Sequence, residues 1–386
     1  MTHDPGARSA RLTSIDTLRG SVMILMALDH VRDYFGAPGL SPLNLAQTTV
    51  PLFLTRWITH LCAPTFFLLT GTSAFLARRR RSRAELSRFL FLRGVWLIVL
   101  ELTVIRCLGF QFNADYQVTM LVVIWALGWA MVVLAALVWL PTTAILIFGV
   151  VMVAGHNLLD GVRSAHPLWV LLHSQGIVVN RPGFVVFVAY PLVPWVAVMA
   201  AGWVIAAVFG WEPWRRRRFL LRVGAAAVAA FIVLRYTNGY GNTFPWTGQR
   251  SAALTVASFL NVRKYPPSLD FLLMTLGPIL IAIALTERVR GRIADWLAVY
   301  GRVPLFYYVV HFSLAHVVGI CLRLIQGGEL APIPILRDPA SIPAWYGVSL
   351  PGVYVAWALV VALMYYPCRW FADLKRRRTE WWLTYL

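Results

Sequence analysis

The sequence predicts an all-α integral membrane protein of about ten transmembrane helices with both termini cytoplasmic. Three observations carry this. Apolar residues fill 59% of the 386 positions and charged residues only 13%, too apolar a balance for a soluble fold of this length. The apolar residues are gathered in stretches able to cross a hydrocarbon core of about 30 Å. Lysine and arginine outnumber the acids 35 to 16, a net charge of +19, and their short runs fall in alternate loops between those stretches, which places every long run on one side, as cytoplasmic loops do. In a soluble domain this excess would suggest nucleic acid. Beside apolar spans, topology and anionic headgroups account for it, so the bilayer is the expected partner and nucleic acid is not.

The first span is expected at about 18–35, after a short cytoplasmic tail (1–13). The leading MTHDPGARSARLTSID lacks an apolar core with a cleavage site, so the span itself is expected to direct insertion. A second span, about 52–77, ends in Arg78, Arg79, Arg80, Arg81 and Arg83, which orients the chain. The third (about 89–110) leads out to NADYQ, the fourth (about 118–140) returns to WLPTT, and the fifth (about 144–159) opens into a segment whose WVLLHSQG suits the interface. The sixth (about 184–209) contains YPLVPW, with two prolines expected to break the helix, and ends at Arg215, Arg216, Arg217 and Arg218. Span seven (about 219–236) precedes the largest external segment. Spans eight (about 269–285), nine (about 302–324) and ten (about 348–371) follow, with Arg337 in the external segment between the last two and a basic tail (372–386) at the end. No repeat or separate soluble domain interrupts 1–386, which is expected to form a single polytopic domain. Cys62, Cys107, Cys321 and Cys368 lie in apolar stretches without paired spacing and are read as packing residues.

The chain is organised around SIDTLRGSVMILMALDHVRDY, residues 14–34, which carries Asp16 and Arg19 at one end and Asp29, His30, Arg32 and Asp33 at the other. From Asp16 to Asp29 a helix rises only about 20 Å, so one cluster must dip below the membrane surface. Ionisable groups at that depth face a packed interior or a wet cavity and are functional candidates, unless they merely hug the headgroups. Arg56 and His60, four residues apart, share a face of the second span, and Pro64 follows. In the ninth span Tyr307 and His311 share one face, while Tyr308, Phe312 and His316 are spaced for another. A satisfied core histidine explains either ring as well. Glu101 needs a partner inside the third span, and Arg106, five residues on, is only partly aligned with it. Arg263, Lys264 and Tyr265 precede a double proline and suit an anionic or sugar-like ligand, or plain interfacial anchoring. There is no Walker loop, GxSxG elbow, HExxH or CxxC pair, so no nucleotide-driven pump, serine hydrolase or zinc enzyme is indicated and no metal is expected.

SIDTLRGSVMILMALDH, TRWITHLCAPTFFLLTGTSAF, YPLVPW, NVRKYPPSLDFLLMTLGP, GRVPLFYYVVH and YPCRWFADLKRRRTEWWLTYL together resemble bacterial members of the heparan-alpha-glucosaminide N-acetyltransferase catalytic-domain family. A span opening with D-x-x-R-G and closing with His is also distantly similar to membrane acyltransferases that modify cell-envelope polysaccharides, in which that His is essential; His30 matches it. The resemblance implies cytoplasmic acetyl-CoA as donor, a saccharide or glycolipid acceptor outside, and a bacterial inner (plasma) membrane location. One departure stands out. The lysosomal branch carries its catalytic His in H-x-x-W-x-G, and here the corresponding segment reads HLCAP from His60 to Pro64. The catalytic candidates are therefore His30, His60 and Asp29; Arg56, Asp33, His311, Tyr307, Arg263, Lys264 and Tyr265 are expected to bind the acceptor, and Asp16 and Arg19 to meet the coenzyme. A transporter or flippase using the same buried charges is the alternative. The acceptor, the acyl length, N- against O-transfer, an acyl-histidine against direct transfer and the oligomeric state, a homodimer included, are left open.

Overall fold

A computed structural model describes residues 5–36, 41–330, 343, 345–378 and 380–384, without the side chains of 5–13, 111, 381 and 384; Arg337 lies outside them. The chain is mostly helical. Among the described residues seven helices are long and apolar enough to cross a membrane: Val50–Ala77, Thr142–Leu159, Leu192–Gly210, Pro213–Thr237, Leu269–Thr286, Pro304–Ile325 and Leu350–Arg377. Helix α1 (Pro5–Phe35) is equally long, but Asp16, Arg19 and Asp29 interrupt its apolar run. It begins at Pro5, so the helix already runs through the segment read as a tail.

Two spans are built in pieces. Helix α2 (Val50–Ile58) is capped by the Thr49 side chain and passes through a single tight turn, Thr59–Leu61, into α3 (Cys62–Ala77). Pro64 explains the break, since it cannot donate to the preceding turn. Helix α4 (Arg83–Leu100) opens with a capping box between Ser82 and Glu85 and widens into a π-helix over Glu101–Gln111. The expected pairing of Glu101 with Arg106 is not made. Glu101 Oε2 instead accepts the first free N–H groups of α5 (Val123–Leu137), from Ile124 at 3.1 Å and Trp125 at 3.3 Å. Arg106 turns to Asn113 and Asp115.

A small sheet corrects the purely helical expectation. Strands β1 (Val118–Leu121), β2 (Gly176–Arg181) and β3 (Phe184–Val188) pair in the order β1-β3-β2, with β1 parallel and β2 antiparallel to β3. The stretches VTML at 118–121 and FVVFV at 184–188 were read as ends of spans; their β-branched and aromatic residues suit a strand as readily. Consequently α8 (Leu192–Ile205) starts after Pro191, and Pro194 falls in its first turn, where a missing N–H costs nothing. YPLVPW therefore begins a helix and does not break one.

Helix α6 (Thr142–Gly155) ends in one tight turn, and the short α7 (Pro167–Leu172), α9 (Pro213–Thr237), α10 (Ala252–Leu260), α11 (Leu269–Thr286), the amphipathic α12 (Arg292–Gly301), α13 (Pro304–Ile325) and α14 (Leu350–Arg377) complete the bundle. Helix α1 lies at the centre, packed on α3, α11, α12, α13 and α14. The α1–α12 contact is backbone on backbone: a Cβ added at Gly20 would sit 1.8 Å from the Leu297 carbonyl oxygen. Gly71 and Gly202 do the same for α3 and α8, where a Cβ added at either would sit 2.0 Å from a main-chain oxygen. Small residues allow such approaches where no hydrophobic force drives helices together.

Candidate active site

The polar end of α1 meets α2 and α13. Asp29 is the hub: its carboxylate accepts from Arg56 Nη1 at 2.7 and 2.9 Å and from Thr59 Oγ1 at 3.0 Å, and pairs with Arg32 at 2.8 Å. Arg32 also reaches Asp33 at 2.6 Å, which holds Asp33 at the exposed margin. Thr59 can take part because the tight turn between α2 and α3 swings it toward α1. Arg56 was expected to act beside His60; its guanidinium is instead committed to Asp29 and Thr59.

Next to this hub His30 faces α13. Its Nδ1 lies 2.8 Å from His311 Nε2, and the two rings stack with centroids 5.0 Å apart. His311 Nδ1 lies 2.7 Å from the Tyr307 carbonyl one turn back. A carbonyl only accepts, so Nδ1 of His311 carries the proton, and a neutral ring then offers a bare Nε2. His30 must donate to it from Nδ1, leaving Nε2 of His30 as the free lone pair. Tyr308 and Phe312 also touch the His30 ring, at 6.1 and 4.3 Å between centroids, so both faces of α13 that the spacing separates meet one residue. The Tyr307 ring stacks on His311 at 4.7 Å, and its buried hydroxyl has no hydrogen-bond partner among the described residues.

His60 stands apart. It is 1% exposed, neither ring nitrogen has a partner among the described residues, and its ring lies against Phe271.

Two cavities adjoin the cluster. A small one of about 40 Å³ is lined by Asp29, His30, Thr59, Cys62, Phe66, Val123, Tyr190 and Lys264 among others, and His60 is not in its lining. A larger one, about 380 Å³, has the cations Arg19, Arg81, Arg93, Arg302 and Lys375 and apolar walls that include Met23, Leu97, Leu127 and Met131. Phe66 and Val123 belong to both linings, and Tyr308 to the large one. Arg19 is fixed there by Asp16 and the Gly301 carbonyl, both at 3.1 Å; Asp16 itself does not line the cavity.

The triplet 263–265 divides. Lys264 is buried and lines the small cavity, and the Tyr265 hydroxyl stands 3.5 Å from that of Tyr190. Arg263 turns away, donating to the Tyr265 carbonyl at 2.9 Å and lining a separate open cleft of about 890 Å³. Thr59 and Tyr190 were missed by sequence reasoning, since a threonine or a tyrosine amid apolar residues gives no signal. Arg81 and Lys375, in the basic runs, were visible as topology signals alone, and Arg93 and Arg302 were not singled out.

Fold and site together define a multi-pass helical membrane protein with a histidine pair buried between helices and a basic cavity beside it. Residues 11–236, more than half of the chain, match the family described as "Heparan-alpha-glucosaminide N-acetyltransferase, catalytic", and the protein belongs to that family. Membership implies acetyltransferase-type chemistry on saccharides. The matched region runs from α1 to α9; α13, with His311, lies beyond it. No curated protein matches the chain.

Proposed function

We propose that the protein moves an acetyl or other short acyl group from cytoplasmic acetyl-CoA to an amine or hydroxyl of an extracytoplasmic saccharide, in the plasma membrane of a bacterium. The observation that carries this reading is the pair of cavities that share Phe66 and Val123 in their walls, one lined by cations and apolar side chains, the other by His30. Phosphates suit the cations Arg19, Arg81, Arg93, Arg302 and Lys375, and the apolar walls suit a pantetheine arm. A thioester carbonyl would then arrive at Phe66 and Val123, within the small cavity's reach.

His30 Nε2 takes the proton of the acceptor hydroxyl or amine as its oxygen or nitrogen attacks the thioester carbon. The oxyanion that forms has the Lys264 ammonium on the cavity wall to face it. Collapse breaks the carbon–sulfur bond, and the proton passes from His30 to the leaving thiolate, so acetylated acceptor and free coenzyme thiol balance the reactants. His311 positions the base and fixes its tautomer, as the third member of a triad does. Asp29, held by Arg56, Arg32 and Thr59, sets where α1 ends against α2. His60 is assigned to shaping the helix turn, with Asp33 and Arg263 toward the acceptor side.

The topology belongs to the same proposal. Helix α1, α4 with its π-helical extension, and α5 raise the seven apolar spans to ten, both termini are cytoplasmic, and 1–386 acts as one domain. The basic runs around Arg81 and Lys375 lining one cavity support this orientation. The experiment is acetyl transfer from labelled acetyl-CoA to envelope glycan in membranes carrying His30→Ala or His311→Ala. Loss of a positioned base costs about 100- to 10,000-fold. Wild-type turnover in His30→Ala would remove that histidine from the chemistry, and substrate uptake without thioester consumption would favour a carrier.

A further inference from the structure

The open cleft that receives Arg263 has Asp160 in its wall, and Asp160 belongs to a second cluster, remote in sequence from the His30 site, whose two histidines lie buried behind it. His156, Asp160 and His173 each bring one ligand atom to within 4.8 Å of the others. We propose that these three residues bind one divalent transition-metal cation of the zinc class.

The argument starts from His156. It is only 2% exposed, yet neither ring nitrogen has a hydrogen-bond partner among the described residues. A buried imidazole with two idle nitrogens forfeits its hydration without return. A metal bond supplies the missing interaction. His156 begins the tight turn that ends α6, and Asp160 closes the same turn, so the backbone brings both to one place. His173 arrives from the end of α7, fixed by stacking on Trp169 at 4.9 Å. Its Nε2 stands 3.8 Å from Asp160 Oδ1 and donates to the His156 carbonyl at 2.8 Å; ligation would exchange that hydrogen bond for a metal bond.

The carboxylate is held as a metal ligand commonly is, by an outer partner. Asp160 Oδ2 accepts from Asn157 Nδ2 at 2.7 Å, and Asn157 Oδ1 in turn accepts from the Leu269 N–H at 2.8 Å, which anchors the group to α11. Two imidazoles and one carboxylate form the donor set that suits zinc, with a fourth position left for water. Water has access, because Asp160 also lines the cleft. Bonds of about 2.0 Å in a tetrahedron require ligand atoms roughly 3.3 Å apart, so the rings close in by about an ångström and a half at most. Bound there, the cation ties the end of α6 to the end of α7 and fixes that wall of the cleft.

The test uses the full-length protein in detergent, stripped with chelator and equilibrated with ZnCl2, then freed of unbound ion. About one equivalent of Zn2+ per chain is expected by mass spectrometry of the metal, with a rise in the apparent unfolding temperature. His156→Ala/His173→Ala should lose both. Asp160→Asn keeps its shape and an oxygen for Asn157, so it tests the charge without removing the turn, and should bind at least tenfold more weakly. Cobalt substitution gives a visible spectrum as an independent reading of ligand geometry. If the wild type retains no more Zn2+ than the double variant, or Asp160→Asn binds as tightly as wild type, the proposal is overturned.

Discussion

Replacing Asp29 by Asn removes one negative charge and almost no volume, and the structure gives the expected cost. The Asp29 carboxylate faces Arg56 at 2.7 Å and Arg32 at 2.8 Å, with Thr59 as a third donor. Its side chain is 17% exposed and that of Arg56 12%, so neither charge is well hydrated. Removing one partner of a fully buried pair costs about 3–5 kcal/mol, because the other is left uncompensated. Partial exposure puts Asp29→Asn at the lower end, about 3 kcal/mol. Arg56→Gln should cost somewhat less, since Arg32 still neutralises Asp29. The double variant leaves no orphan charge on Arg56, so the two losses should fall short of adding by about 2 kcal/mol, within the 0.5–3 found for groups in direct contact. The assay is unfolding by SDS in mixed micelles, followed through the 17 tryptophans, for the wild type, both single variants and the double variant. Losses that add to within about 0.5 kcal/mol would refute the pairing, because independent sites behave that way.

Other outcomes follow from the same geometry. Phe66→Trp adds bulk where the two cavities meet, and is expected to lower kcat at least tenfold with little change in KM for acetyl-CoA; unaltered kcat would mean that the acyl group takes another route. Arg81→Ala/Arg302→Ala removes two cations from the large cavity. Charged hydrogen bonds contribute about 1.5–3 kcal/mol each, so KM for acetyl-CoA should rise by at least tenfold while a coenzyme-free fragment such as an acetyl thioester of pantetheine is affected less; equal effects on both would dismiss phosphate binding. Gly71→Leu forces a side chain against the Met199 carbonyl oxygen, 2.0 Å from where its Cβ must sit, and should destabilise the α3–α8 contact by about 1–3 kcal/mol or block folding, read as loss of detergent-stable protein. Cysteines placed at Asn113 and the exposed Gly239 should react with a membrane-impermeant reagent in intact cells, and protection of both would reverse the proposed topology.

Part of this protein is set by sequence alone. Membrane residence follows from a long succession of apolar stretches, because hydrogen bonding of the backbone in lipid leaves helices as the economical solution. The polar ends of α1 are visible too, because Asp16, Arg19, Asp29 and His30 interrupt an otherwise unbroken apolar run. What the sequence leaves undecided is which polar groups meet, since contacts between helices depend on rotation and depth that no local pattern fixes. Arg56 lies four residues from His60 on one strip of helix, yet the tight turn at Thr59–Leu61 sends it to Asp29 and leaves His60 against Phe271. Glu101 looked for a cation along its own helix, and the neighbouring N-terminus of α5 supplied N–H groups instead. His311 is 281 positions from His30, and no periodicity links them; only the crossing of α13 over the end of α1 brings their nitrogens to 2.8 Å. The short strands lay hidden because short apolar stretches such as VTML and FVVFV suit a span and a strand alike, and the pairing of β1 with β3, which decides between them, is a tertiary event.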